Sequence, residues 1–333
     1  MTATDVRPHP GQQRAEGTAR RSFAYGNEVT LLGILAVAWV ALSLAYPTFH
    51  EVGNIQNVLS SIAMVAIVGV GMTMVILTGG IDVSVGSGLA VCAVIVAKYV
   101  LSGGSVVVAV ALGVLVGALL GAVNGAIVAF GRVAPIITTF ATLNLFRFVS
   151  LQIFENQQVN GIPPTLSWFG PTGRTLGVPN AFLVAVLLTV VAWWYLKSYS
   201  TGRHLFAIGS NRDTALFAGV RVARREFAVY VVTGVLVGLA STVAVGSGGV
   251  VQPNIGTGFE LQVIAAVVIG GTSILGGRGS ALCTLLGALL VGTLRSALVT
   301  MGAPGLLTDF FLGVFILAAV AVDLVRQKRR SHR

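Results

Sequence analysis

Charge is what this chain has least of. Of its 333 residues, 10% are Asp, Glu, Lys or Arg and 55% are hydrophobic, with a mean hydropathy of +0.89. A soluble domain of this size has no interior large enough to hide that much apolar surface, so the composition points to a polytopic membrane protein. Lysine is scarcest: it stands only at Lys98, Lys197 and Lys328, and none of the three follows a glycine. A P-loop requires a Gly-Lys step whose lysine reaches the phosphates, so that ATP-binding motif is excluded. Cysteine occurs twice, as Cys92 and Cys283, both in apolar runs without a CxxC partner. Neither a disulfide framework nor a zinc site is supported, and both read as small core residues. His9, His50, His204 and His332 are scattered over tails and loops, and no HExxH, GxSxG or paired-carboxylate arrangement stands out. An intramembrane enzyme therefore lacks visible chemistry, and no cofactor or metal is expected on this chain.

What charge there is has a pattern. The net charge of +10 sits mainly in the tails and in one loop between apolar runs, which is the distribution of cytoplasmic faces and makes nucleic acid a poor partner. Residues 1–28 read as a basic cytoplasmic tail with Arg7, Arg14, Arg20 and Arg21, and without the early apolar core of a cleaved signal. Residues 29–325 read as an all-α transmembrane domain and 326–333 as a second basic tail. Apolar runs at Val29–Tyr46, Asn57–Leu77, Gly86–Leu101, Val106–Phe130, Pro135 onward, Ala181–Leu196, Phe227–Val245, Leu261–Ile274, Ala281–Thr300 and Gly305–Val325 give about ten spans with both termini cytoplasmic. The loop at 155–180, rich in Pro, Gly and Asn and nearly free of positive charge, is then external.

The chain is organised around Val68–Cys92, where Gly79, Gly80, Asp82 and Ser84 fall between two apolar segments. The glycines should stop the first helix. An acid at mid-bilayer depth costs roughly 2.5–3.5 kcal/mol, so Asp82 should lie at a boundary or be satisfied within the protein. Asp82 and Ser84 suit the capping of the next helix, and part of a gate is the other reading. A second broken segment, GGTSILGGRGS, carries Gly270, Gly271, Gly276 and Gly277, and the two glycine-paired hairpins are candidates for an internal repeat. Gly113, Gly117, Gly121 and Gly125 recur every fourth residue and form a stripe for close helix approach, with Asn124 beside it. After Pro135, Thr138, Thr139, Thr142 and Asn144 enrich one span in hydroxyls and amides. With Asn124 and Glu260 they are candidates for a polar solute path, which needs donors and acceptors throughout. Helix packing by the threonines, and a helix-start role for Glu260, stand beside that reading.

The most polar internal segment, about 198–226, is the cytoplasmic loop. Asn211 and Asp213 are placed to cap a short helix, with Ala215, Leu216 and Phe217 on its apolar side and Gly219 at its end. Arg212 beside Asp213 reads as a solvated pair, and Lys98 and Arg147 as side chains that snorkel. Arg295 and Asp309 are candidates for pairing across helices.

Four ordered stretches resemble the permease subunits of bacterial ABC sugar importers of the ribose type: LTGGIDVSVGS at Leu77–Ser87, GAVNGAIVAFGRVAPIITTFAT at Gly121–Thr142, GRHLFAIGSNRDTALFAGVRV at Gly202–Val222, and GTGFELQVIAAVVIGGTSILGGRGS at Gly256–Ser280. The second departs from the commoner Pro-Phe-Ile wording at Ala134 and Ile136. The resemblance runs from about residue 30 to 325. It implies a ten-helix permease in the bacterial inner membrane that pairs with a second permease subunit, identical or related, a cytoplasmic ATPase that holds ATP and Mg, and an extracytoplasmic sugar-binding protein. It further implies that the segment holding Gly202, Asn211, Arg212, Asp213, Leu216, Phe217 and Gly219 contacts the ATPase, while a monosaccharide passes by alternating access. A helix lying on the lipid surface is the other reading of that segment. An ion-coupled secondary transporter is the alternative function, and it should show ionisable residues lining several spans. Here they are sparse.

Overall fold

The computed structural model describes residues 10–304 and scattered positions between 307 and 321. Its elements are helical except for two short ribbons of strand. Helix α1 (Pro10–Ala45) is followed by α2 (Val52–Leu77), α3 (Val85–Leu101), α4 (Val106–Ala129) and α5 (Pro135–Phe154). Strands β1 (Val159–Ile162), β2 (Arg174–Thr175) and β3 (Val178–Pro179) lead to α6 (Asn180–Ser198), α7 (Ser200–Ser210), α8 (Arg212–Phe217) and α9 (Val222–Gly246). Strand β4 (Gly249–Val251), α10 (Phe259–Ile269) and α11 (Ala281–Thr300) complete it.

Seven of the helices are long and apolar enough to cross a membrane, beginning with Asn27–Ala45 of α1. Helices α3 and α10 are shorter apolar helices. The last expected span, 305–325, lies largely outside the described residues, as do Asp309 and the basic tail. At the other end, part of the expected polar tail is helical, because α1 starts at Pro10 in a stretch rich in Ala, Arg, Gln and Glu.

Helix α2 is the axis. From Val65 to Leu77 it is buried on every side, as a helix that is apolar all round should be. Glycine lets its neighbours close in: a Cβ at Gly71 would stand 2.8 Å from Thr233 Cα on α9, and one at Gly69 would stand 3.0 Å from Thr284 on α11. Thr73 and Thr284 hydroxyls bond at 2.7 Å across the second contact.

The glycine stripe of α4 packs on α9, and α9 answers with glycines of its own. A Cβ at Gly117 would overlap the Gly234 carbonyl, and one at Gly238 the Gly113 carbonyl. Gly121 and Gly125 face Tyr230 and Phe227 in the same way. Backbone lies on backbone here, which gives dispersion contact without side-chain ordering. Helix α5 shows the same four-residue rhythm with larger residues, burying Thr138, Thr142, Phe146, Ser150 and Phe154 while Ile137, Phe140 and Phe148 face out.

Helices α3 and α10 each fall short of a bilayer. Their 17 and 11 residues rise about 26 and 16 Å, against a hydrocarbon core of about 30 Å. Their N-terminal ends meet inside the bundle, where a Cβ at Gly86 would overlap the Gly256 carbonyl and the Glu260 carboxylate. From that meeting point they run to opposite ends. The C-terminal half of α3 packs with β1, β4 and Phe154, whereas α10 ends beside the start of α11, with Gly270 against the Cys283 carbonyl. The span expected from Leu261 to about Ile274, short and interrupted by Gly270 and Gly271, is a helix that ends at Ile269 just before those glycines, where Gly271 adopts φ +85° and turns the chain.

The loop at 155–180 is tied down by strand pairing. Strand β1 pairs antiparallel with β4, Val159 opposite Val251, and β2 pairs with β3 across a turn at Leu176 and Gly177. Lys98 does not snorkel freely but forms an ion pair of 2.7 Å with Glu155 at this end, and the hydrogen bond holds the Glu155 carboxyl below its usual range.

Candidate functional site: a buried acid and a glycine junction

The turn between α2 and α3 carries the more deeply buried of the two buried acids among the described residues, the other being Glu226. Asp82 is 3% exposed. Its Oδ1 accepts from the Ser84 backbone N–H at 2.9 Å and from the Ser84 hydroxyl at 2.7 Å. Ser84 in turn accepts from Asn124 Nδ2 at 2.7 Å, so the chain of bonds joins the turn to α4. This corrects one expectation: Ser84 occupies the position before α3 but caps no amide, because its oxygen accepts from Asn124 instead and its backbone is already helical. A cavity of 20 Å³ opens here, with Asp82, Ser84, Asn124 and Phe146 in its wall.

The rest of the expected polar path is only partly gathered. Thr139 on α5 donates to the Ile81 carbonyl at 3.0 Å and so fixes the same turn from the other side. Thr138 is buried without a hydrogen-bond partner, and Thr142 donates within α5 to Thr139. Asn144 stands apart. It is exposed on the opposite face of α5 and bonds the Phe140 carbonyl, since two residues of helix turn a side chain through about 200°. Glu260 lies in the first turn of α10, as its sequence position suggests, with its carboxylate over Gly86. Arg147, expected to snorkel, instead donates to the Ile255 carbonyl at 2.8 Å and lies within electrostatic reach of Glu260.

The two glycine turns, far apart in sequence, touch. Gly79 (φ +82°) and Gly276 (φ +88°) need the left-handed region, and a Cβ on Gly276 would stand 3.0 Å from both Gly79 N and Gly209 Cα. Gly277 N donates to the Leu77 carbonyl at 3.0 Å, while a Cβ on Gly209 of α7 would overlap that same carbonyl. Three backbones therefore converge with no side chain between them. Beside the junction, Gly80 lies so close to Tyr230 that a Cβ would stand 2.8 Å from the phenolic oxygen.

Two helices, not one, form the loop that leads away. Gly202 lets α7 fold back on the end of α6, close to Tyr195 and Leu196. Helix α8 is capped by Asn211, whose Oδ1 accepts from Thr214 N at 2.8 Å, and Gly219 ends it at φ +80°. Asp213 sits in its first turn. Ala215 faces inward, whereas Leu216 and Phe217 are 56% and 89% exposed. Arg212 is not a solvated partner of Asp213: its Nε and Nη2 each lie 3.1 Å from a carboxylate oxygen of Glu226 on α9. That hydrogen bonding holds the Arg212 guanidinium above its ordinary range.

Sequence reasoning missed Glu226, Tyr230 and Gly209. Glu226 had a readable signal, being an acid at the start of an apolar span within a loop full of arginines. Arg212→Ala should leave Glu226 inward and unpaired, at a cost of about 1–2 kcal/mol once the half-exposed guanidinium is discounted for solvent. Thermal unfolding of Arg212→Ala, Glu226→Gln and the double variant should show a coupling of that size. Strict additivity would mean that the pair contributes nothing.

Comparison with known proteins bears on what this arrangement belongs to. Residues 54–320 match the family model described as branched-chain amino acid transport system / permease component. The chain belongs to that permease family. The permease is 40% identical over 291 residues to the ribose import permease protein RbsC of Bacillus subtilis, covering 87% of this chain and 90% of that one. It is 38% identical over 302 residues to RbsC of Escherichia coli K12, covering 90% and 94%. The D-allose transport system permease protein AlsC of the same strain is 31% identical over 308 residues, covering 90% and 91%. No solved structure matches the chain.

Proposed function

We propose that this chain is the membrane-spanning permease subunit of an ATP-binding-cassette importer for a monosaccharide, driven by a separate ATPase. Relatives that match over 87–90% of its length carry the names of ribose and allose import permeases, which supports a sugar as the solute. The reading is of ten helices, both termini in the cytoplasm of a bacterial inner-membrane protein. The seven long apolar helices, α3, α10 and the span at 305–325 supply the number.

The observation that carries the coupling role is the position of α8. Its Leu216 and Phe217 are bare at the end of the molecule where α7 touches the backbones of Leu77 and Gly277. A short capped helix with an apolar tip and basic flanks suits a groove on a soluble partner, here the ATPase. Because Gly209, Gly79 and Gly276 meet without intervening side chains, a shift of α7 passes to α2 and to the turn before α11 with little slack. Helix α2 is the axis of the bundle, so its displacement re-packs α9 and α11 and changes which side the path faces. The path itself runs by Asn124, Thr138, Thr139, Thr142 and Glu260. ATP and Mg belong to the ATPase, an external binding protein delivers the sugar, and a second permease subunit completes the channel.

Proteoliposomes containing the permease, its ATPase and the binding protein should accumulate labelled pentose or hexose only with ATP inside the ATPase compartment. They should be indifferent to collapse of the sodium and proton gradients. Uptake by the permease alone, driven by an ion gradient, would establish a secondary transporter and end this reading.

A further inference from the structure

Arg147 is a cation deep in an apolar span. It stands about 18 Å along α5 from Pro135 and about 10 Å short of the helix end at Phe154, and α5 is one of the helices long and apolar enough to cross a membrane. Its side chain is only half-buried, and Phe140 and Asn144, both exposed, lie on the same side of the helix. A guanidinium and an amide turned toward lipid are strongly disfavoured, so this side of α5 faces water or protein. Nearby lies Glu260, half-buried in the first turn of α10. One point draws the two together: Arg147 Nη1 donates to the Ile255 carbonyl at 2.8 Å, and the adjoining Gly256 carbonyl and the Glu260 carboxylate both close on Gly86 of α3. The two charges act on each other yet form no ion pair. Among the described residues the ion pairs join Lys98 to Glu155 and Arg212 to Glu226. The Ile255 carbonyl takes one N–H of the guanidinium, which carries five in a fixed fork.

A fork of donors therefore stands near an ionised acceptor, with neither consumed by the other. A hydroxyl is the group that completes both, since it accepts and donates at once, and two hydroxyls on neighbouring carbons match the paired N–H groups of the fork. An anion is repelled by Glu260 and a cation by Arg147, whereas a neutral polyol is repelled by neither. We infer that Arg147 and Glu260 form a diol-binding subsite, in which vicinal hydroxyls of the sugar accept from the guanidinium and donate to the carboxylate. The exposed ring of Phe140 offers an apolar surface on the same side of α5. This inference rests on the reading of the chain as a sugar permease and adds which part of the sugar is read, and by which residues.

The test is ATP-driven uptake by proteoliposomes holding the permease, its ATPase and the binding protein, with labelled D-ribose and D-allose and their 2-deoxy and 3-deoxy analogues as probes. Every permease variant meets the same binding protein, so that protein's own preference cancels when the ratio of sugar to deoxy-sugar uptake is compared with the parent's. A site that hydrogen-bonds a hydroxyl rejects the analogue lacking it, and loses that discrimination with its own partner group. Arg147→Gln and Glu260→Gln should each cut uptake of the intact sugar about tenfold or more, while slowing at least one deoxy analogue far less. Arg147→Lys keeps the charge and the reach to the Ile255 carbonyl but lacks the fork, so it should fold as the parent does and still lose selectivity. Equal losses for intact and deoxy sugars in all three variants would make Arg147 a brace for the turn at Ile255 and overturn the inference, as would unchanged uptake. A parent complex that takes up none of these sugars with ATP would overturn the sugar-permease reading itself, and the inference with it.

Discussion

Replacing Gly117 with leucine is expected to abolish the folded permease. The position looks tolerant from sequence, since α4 is apolar throughout and leucine is a better helix former than glycine. Packing reverses that expectation. The Cβ alone would overlap the Gly234 carbonyl, and it would stand 2.8 Å from Gly238 N. These are backbone atoms of α9, which has no rotamer to change. Overpacking of ordinary cores costs about 1–3 kcal/mol because side chains can yield; here two helices must separate along their whole contact, from Gly113–Gly238 to Gly125–Phe227, so the loss should exceed that range. Fluorescence-detected size exclusion in mild detergent should show no monodisperse peak for Gly117→Leu. Gly33→Leu on α1, where nothing lies within 4 Å of the added Cβ, is the matched control and should behave as the parent chain. A monodisperse, active Gly117→Leu protein would mean that α4 and α9 do not pack through their glycines.

The same pair of helices shows what the sequence makes legible. The stripe on α4 was readable because its four glycines share one face, yet its partner was not, although Gly234 and Gly238 carry the same spacing on α9. Helix ends governed by local chemistry read well: α2 stops at Leu77 before Gly79 and Gly80, α5 starts at Pro135, and Asn211 caps α8. Features that depend on distant chain do not. The pairing of Val159 with Val251 joins segments some ninety residues apart, in loops with no alternating apolar pattern of their own. The meeting of Gly79, Gly209 and Gly276 is likewise invisible, since a single glycine in α7 has no local cue that two turns lie against it. Asp82 was legible as an acid that must be satisfied, but the satisfaction comes from Ser84 and through it Asn124, forty residues on. The hydroxyl-rich stretch of α5 divides for a geometrical reason: residues 138 and 142 share a face at helical spacing, and Asn144 does not.

Phe217→Asp should leave the permease folded and inserted while uptake falls at least about thirtyfold. A side chain 89% exposed contributes little to the fold, so the substitution leaves α8, its Asn211 cap and the Arg212–Glu226 pair in place. What it removes is an aromatic anchor, replaced by a charge that must be desolvated in the groove of a partner. Anchors of that kind are worth about 2–4 kcal/mol, and a factor of thirty corresponds to the lower end. Gly219→Asp is a poorer test of the same contact: Gly219 sits at φ +80°, and a branched polar side chain there strains the turn as well as the interface. Leu216→Asp, at 56% exposure, should reproduce the effect less strongly. Three measurements separate the outcomes: melting temperature of the isolated permease, its co-purification with the ATPase, and sugar-stimulated ATP hydrolysis in the full complex. The expected pattern is an unchanged melting temperature, weakened co-purification and lost stimulation. A lowered melting temperature would return Phe217 to the fold, and full uptake with intact stimulation would place α8 against lipid instead of against the ATPase.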